Sequence, residues 1–156
     1  MGKRYFEDFR AGDEFDLGER TVSEEEIVAF ARQFDPQPFH VDAAAAAASP
    51  FGGIIASGWH TGSMFMRLFV DGVLANSSSI GAAGVDELRW KKPVRPGDRL
   101  RGKVRVLDTQ LSTKGLPRGT IVWDGWFENQ HGDVVMTARS IGLLATRPAP
   151  KGTSEA

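Results

Sequence analysis

The chain has 156 residues, enough for one domain with a substantial core and too few for two ordinary ones. Nineteen basic residues against twenty acidic ones leave a net charge of −1, which argues against a general nucleic-acid binder and against a protein held on anionic membranes. The absence of cysteine excludes disulfides, thiolate metal sites and a cysteine nucleophile.

The N-terminus lacks the basic-plus-apolar pattern of a signal peptide, and no apolar run approaches the roughly 20 residues that span a bilayer. A cytoplasmic protein is expected. The stretch from Arg147 to Ala156 (RPAPKGTSEA) is rich in Pro, Gly and small polar residues, so a flexible tail over 147–156 is expected after a domain at 1–146.

In chain order, Tyr5, Phe6 and Phe9 are aromatic packing residues. A turn at Ala11-Gly12-Asp13 then leads to a short strand through Phe15 and Leu17. Thr21–Phe34 reads as a helix. Ser23 with Glu26 fits a capping box, and Ile27, Phe30, Ala31 and Phe34 recur at helical spacing as one buried face. Pro36 ends this helix near Phe34. Asp35 then stands at the negative end of the helix dipole, which predicts a raised pKa.

The loop Asp35-Pro36-Gln37-Pro38-Phe39-His40 carries a carboxylate and an imidazole on a segment stiffened by two prolines. Such a pair can hold a water and move protons near neutral pH. The same residues can instead serve as a turn cap and a core histidine. Asp42 can cap a short helix through the alanine run that stops at Ser49-Pro50.

After Gly52-Gly53, Ser57-Gly58 opens a helix that is apolar on nearly all sides, with Trp59, Met64, Phe65, Met66, Leu68, Phe69 and Val70. Burial in the core is expected. Gly58 allows close backbone approach, and free N–H groups at a helix start can stabilise an oxyanion; plain helix-start chemistry is the alternative. His60 can line the same cavity or be a hydrogen-bonded core residue. His131 sits in a hairpin loop. The three histidines show no metal-binding spacing.

Beyond Ser79 the period becomes two, with strands over about 80–92, 98–109, 119–129 and 133–146. In the second, Leu100, Val104 and Val106 face one way and Arg99, Arg101, Lys103 and Arg105 the other. That basic row reads as a solvated face, with a phosphate contact as the weaker alternative. The order predicts an α+β fold, with an antiparallel sheet wrapped around one long helix and an open edge covered by a second subunit.

The loop Asp35–His40, followed by Val41-Asp42 and the alanine run, resembles the hydratase motif Gly-Asp-x-Asn-Pro-x-His of MaoC-like dehydratases, the (R)-specific enoyl-CoA hydratases. Asp35, Pro38 and His40 fall on its Asp, Pro and His. Phe34 replaces the glycine and Gln37 the asparagine. The resemblance continues through Pro50–Thr61 and Leu88–Leu100. It implies a single hot-dog domain whose dimers pair their sheets edge to edge, as a homodimer or an oligomer of dimers.

It further implies reversible hydration of a trans-2-enoyl-CoA to a (3R)-hydroxyacyl-CoA. Asp35 would be the base on the water that attacks C3, His40 would hold that water and help deliver the proton to C2, and the Gly58 N–H would polarise the thioester carbonyl. Gln37, Phe39, Phe51, Ser57, Trp59, His60, Ser63 and Met64 would contact the substrate. No cofactor beyond the substrate's own CoA is implied. Where some relatives place a supporting serine on the central helix, this chain has Met66, with Ser63 one turn earlier. An acyl-CoA thioesterase of the same fold, or a non-catalytic acyl-CoA-binding subunit, are the alternatives. The thioesterase would need a carboxylate on the central helix, where only Asp71 is available.

Overall fold

The computed structural model describes residues 2–152; the last four positions of the expected tail lie outside them. After a 3₁₀ turn at Phe6–Asp8, strand β1 (Glu14–Thr21) leads to helix α1 (Glu24–Phe34). Two short helices follow, α2 (Pro38–Val41) and α3 (Ala43–Ala48), and then the long helix α4 (Gly58–Gly72). Four strands complete the chain: β2 (Ser79–Trp90), β3 (Arg99–Leu111), β4 (Arg118–Glu128) and β5 (Val134–Ala145). The sheet is antiparallel throughout, in the order β1-β3-β4-β5-β2.

Alternation builds this sheet. On β3, Leu100, Val104 and Val106 are fully buried. Their neighbours Arg99, Arg101 and Arg105 reach across to Glu19, Asp16 and Glu14 on β1, while Lys103 meets Glu128 on β4. Acids on the adjacent strands thus engage the basic row, which supports the solvated-face reading over the phosphate one.

Helix α4 lies on the opposite face, the arrangement of a hot-dog fold. Phe65 meets Phe127 edge-on at 5.4 Å, and Phe69 meets Trp123 at 5.1 Å. The approach is close enough that a Cβ at Gly125 would stand 2.5 Å from the Phe65 ring. Glycine at that strand position lets helix and sheet touch.

Only one face of α4 is covered within the chain. His60, Thr61, Met64, Phe65 and Phe69 are buried, but Trp59 is 61% exposed and Met66 46%. This corrects the expectation of a helix enclosed on all sides. Apolar composition alone does not separate residues facing the sheet from those on the outer stripe. Strand β2 is exposed along nearly its whole length, with Ile80 and Val85 open to solvent.

Helix α1 starts as expected. Ser23 Oγ accepts from the Glu26 N–H at 3.2 Å, and Glu26 accepts from the Ser23 N–H at 3.2 Å. Ile27 and Ala31 are buried, but Phe34 is 64% exposed, its ring lying 5.1 Å from that of Phe30. Phe6 and Phe9 are buried, and Phe9 packs edge-on against Trp123. Arg147, the first residue of the expected tail, is tied to Glu7 and Asp8 through its backbone and guanidinium. Among the described residues, no helix is long and apolar enough to cross a membrane.

Candidate active site

The site is assembled from the end of α1, the turn α2 and the start of α4. Asp35 closes α1, its N–H donating to the Ala31 carbonyl at 2.8 Å. Pro38 then starts α2, where its missing N–H costs nothing. The turn is fixed by the His40 N–H on the Gln37 carbonyl at 2.9 Å. Within what was expected as a proline-stiffened loop, Pro38–Val41 is thus one helical turn, and it places His40 beside Asp35.

The His40 ring is buried. Its Nδ1 lies 2.7 Å from the Ile55 carbonyl, which can only accept, so Nδ1 carries a proton. The other ring nitrogen, Nε2, stands 3.3 Å from Oδ2 of Asp35. Phe39 packs edge-on against the ring at 4.6 Å and touches Phe51 at 5.4 Å.

Asp35 is held on its other oxygen by the Gln37 side-chain amide, which donates to Oδ1 at 2.7 Å. The Gln37 bond, then the neighbouring Ser57 hydroxyl and the His40 ring, hold the carboxyl below its ordinary value near 3.8, against the upward push of burial. The helix-dipole expectation of a raised pKa is thus corrected. Direct hydrogen bonds to the ionised form outweigh an unfavourable helix end.

Ile54–Ser57 runs extended between two anchors. Ile55 N–H donates to the Phe39 carbonyl at 3.2 Å, and Ala56 N–H to the Val94 carbonyl at 2.8 Å. The turn holding Val94 is itself pinned by Asp98, which accepts from the Arg95 N–H and from the Gln130 amide, each at 2.9 Å. Gly58, the first residue of α4, has an N–H with no intrahelical acceptor. The Trp90 indole lies against its Cα so closely that any Cβ there would overlap the ring.

A cavity of about 300 Å³ opens between these parts. His40, Phe51 and Gly58 line it together with Ile55, Thr61 and Trp90, and Lys91 and Lys92 stand around it. Its size lies at the lower end of ligand pockets.

Other candidate residues lie elsewhere. Trp59 is exposed and pairs edge-on with Trp90 at 5.3 Å. Met64 is buried in the main core. The Ser63 hydroxyl donates to the Trp59 carbonyl at 2.7 Å, so it is spent on its own helix. His60 stacks on Phe30 at 4.8 Å, away from the cavity. Its Nδ1 is buried without a partner, and burial lowers its pKa from 6.5. Asp71 is exposed and paired with Arg67 at 2.7 Å, so it does not supply the carboxylate a thioesterase would need.

Sequence reasoning did not single out Thr61, Trp90, Lys91 or Lys92 as site residues. The aromatic-basic cluster Trp90-Lys91-Lys92 before the turn at Pro93 was the available signal.

Comparison with known proteins agrees with this architecture. Residues 8–120 match the model of the MaoC like domain family. The MaoC-like dehydratase from Rhodospirillum rubrum superposes with a TM-score of 0.85 at 40% identity, covering 93% of this chain and 99% of that one. The (R)-hydratase from A. caviae involved in PHA biosynthesis gives 0.68 at 26% identity, covering 90% of this chain and 98% of that one. Protein MaoC of Klebsiella aerogenes is 36% identical over 104 residues, which span 64% of this chain but only 29% of that protein. With a family model matched over most of its length and the fold shared with these structures, the chain belongs to the MaoC-like domain family.

Proposed function

We propose that the protein reversibly hydrates a trans-2-enoyl-CoA to a (3R)-hydroxyacyl-CoA. The observation that carries this reading is the Asp35–His40 pair, 3.3 Å apart, with His40 at a cavity that Gly58 also lines. Asp35, held ionised by its neighbours, takes a proton from water as the oxygen bonds to C3 of the enoyl group. His40 holds that water at Nε2 and helps deliver the proton taken up by Asp35 to C2, so both side chains return to their starting states and the elements of one water are added across the double bond. The Gly58 N–H faces the thioester oxygen, where negative charge develops as the enolate forms. Phe39 and Phe51 form the apolar wall beside His40.

The working unit in this reading is a homodimer or an oligomer of dimers. Two features support it: the long exposed edge strand β2 with Ile80 and Val85, and the outer stripe of α4 with Trp59 and Met66.

The test uses crotonyl-CoA and the purified protein, following the enoyl thioester absorbance. Loss of absorbance that disappears in Asp35→Asn and His40→Gln supports the hydratase. Release of free CoA points to a thioesterase instead. Neither signal, across short, long and branched enoyl-CoAs, would leave a non-catalytic acyl-CoA-binding subunit.

A further inference from the structure

Thr61 is a polar residue of the site to which the hydration chemistry above gives no task. It is only 2% exposed, yet it lines the cavity of about 300 Å³ together with His40 and Gly58. The wall around it is largely apolar, with Ile55, Ala56 and Val94 buried beside it. A hydroxyl in such surroundings calls for a good hydrogen-bond partner.

Within the chain its partner is a poor one. The Thr61 hydroxyl donates to the Ser57 carbonyl at 3.4 Å, long for a bond between two oxygens. The same carbonyl already accepts from the Thr61 N–H at 3.0 Å. The hydroxyl therefore makes the weaker of two bonds to one oxygen, and little is lost when it turns to another acceptor.

Its place on α4 suits an acceptor held at Gly58. Residues three apart on a helix are neighbours on its surface, and helical side chains lean toward the N-terminus. The bond to Ser57 shows Thr61 leaning that way, along the turn that begins at Gly58. Gly58 has no side chain to stand between the hydroxyl and the cavity.

We propose that the Thr61 hydroxyl is a second donor to the thioester oxygen, acting with the Gly58 N–H as enolate character develops. The hydroxyl exchanges its long bond to Ser57 for one to the oxyanion, and no proton is transferred in that exchange. The role rests on the hydratase reading of the same site.

The experiment compares wild type with Thr61→Val, which keeps the shape and loses the hydroxyl, and with Thr61→Ser, which keeps the hydroxyl. Steady-state hydration of crotonyl-CoA is measured on each. So is the infrared C=O stretch of enzyme-bound butyryl-CoA carrying carbon-13 at the thioester carbon, a saturated ligand that cannot be hydrated. Loss of one oxyanion donor predicts a fall in kcat of about tenfold to a hundredfold in Thr61→Val, with KM nearly constant. The bound carbonyl stretch moves to higher wavenumber as polarisation is lost, and Thr61→Ser restores both.

A stretch that stays in place in folded Thr61→Val overturns the proposal. So does a raised KM with unchanged kcat, which marks a contact made equally before and during the reaction. Thr61→Ser as slow as Thr61→Val overturns it too, because the hydroxyl then does not set the rate. If Thr61→Val does not fold, Thr61→Ala carries the same comparison. Absence of hydration by the wild type defeats the hydratase reading instead, and the stretch of bound butyryl-CoA then still decides whether Thr61 meets the thioester.

Discussion

Oδ2 of Asp35 lies 3.3 Å from Nε2 of His40, while Nδ1 of the same ring is committed to the Ile55 carbonyl at 2.7 Å. The two groups therefore face each other through the only ring nitrogen left for chemistry. Losing either should be severe. Asp35→Asn and His40→Gln are each expected to lower kcat by about 10² to 10⁴, the usual range for a general acid or base. Stopped-flow or steady-state hydration of crotonyl-CoA measures it. A loss below threefold in either variant would remove that residue from the mechanism.

The depressed pKa of Asp35 has a sign that can be checked. The base is ionised above its folded pKa, so loss of activity through its protonation falls below the ordinary carboxylate value near 3.8. Replacing Gln37 by Met removes the largest stabilising contact, the bond to Oδ1. The Asp35 titration should then move to higher pH, and the acidic limb of kcat/KM with it, while Gln37→Asn tests whether a shorter amide can reach. An Asp35 titration that stays in place in Gln37→Met refutes the assignment.

His60 predicts a pH dependence of stability in a different window. Burial lowers its pKa from 6.5, so below pH 6.5 the unfolded chain takes the proton before the folded one does. The stability it contributes is present above pH 6.5 and is lost as pH falls toward the folded value. Glu26 and Arg20, ion-paired at 3.0 Å, lie near enough to act on it in opposite directions. Urea unfolding at pH 7.5 and 5.5 should show a smaller drop in His60→Leu than in wild type. Equal drops would show that His60 is not responsible.

Gly58→Ala tests the contact with Trp90. The added methyl overlaps the indole and should destabilise the fold by about 1–3 kcal/mol, the range for overpacking. In Gly58→Ala/Trp90→Leu the smaller side chain relieves the clash, and stability should recover. Denaturant midpoints decide, and a single variant as stable as wild type contradicts the packing.

The proposed dimer is checked at the edge strand. Val85 is 60% exposed on β2, and a lysine there is the kind of residue that blocks strand pairing. Val85→Lys should sediment as a monomer where wild type sediments as a dimer. Wild type running as a monomer defeats the assembly reading outright.

Local features were readable from the sequence because neighbouring residues make them. The Ser23–Glu26 box and the alternation of Leu100, Val104 and Val106 needed no tertiary information. The Asp42 cap is of the same kind: its carboxylate accepts from the Ala44 and Ala45 N–H groups. The element order, and with it the fold, followed from such signals.

The site was readable only in part. Asp35 and His40 are close in sequence, but Ile55, whose carbonyl meets the His40 ring, and Trp90, which packs on Gly58, arrive through long-range contacts. The direction of the Asp35 shift was misjudged because the dipole argument considers the helix and not the amide of Gln37. Phe34 and Trp59 carry apolar side chains at helical spacing yet remain exposed, since periodicity does not say where the core ends.

The alanine run has a consequence of its own. Of Ala43–Ala48 only Ala46 is buried, and the helix is fastened at its ends. Asp42 holds the first turn, and the Ser49 hydroxyl donates to the Ala46 carbonyl at 2.6 Å while accepting from the Phe51 N–H at 3.2 Å. The segment is a ruler between the two halves of the site. Six residues at about 1.5 Å each set its length, and dropping one would turn the end of the helix, where Ser49 caps it, by about 100°. The identity of the exposed alanines is under little constraint, but their number bears on where the chain returns at Ile55 to meet Phe39 and His40.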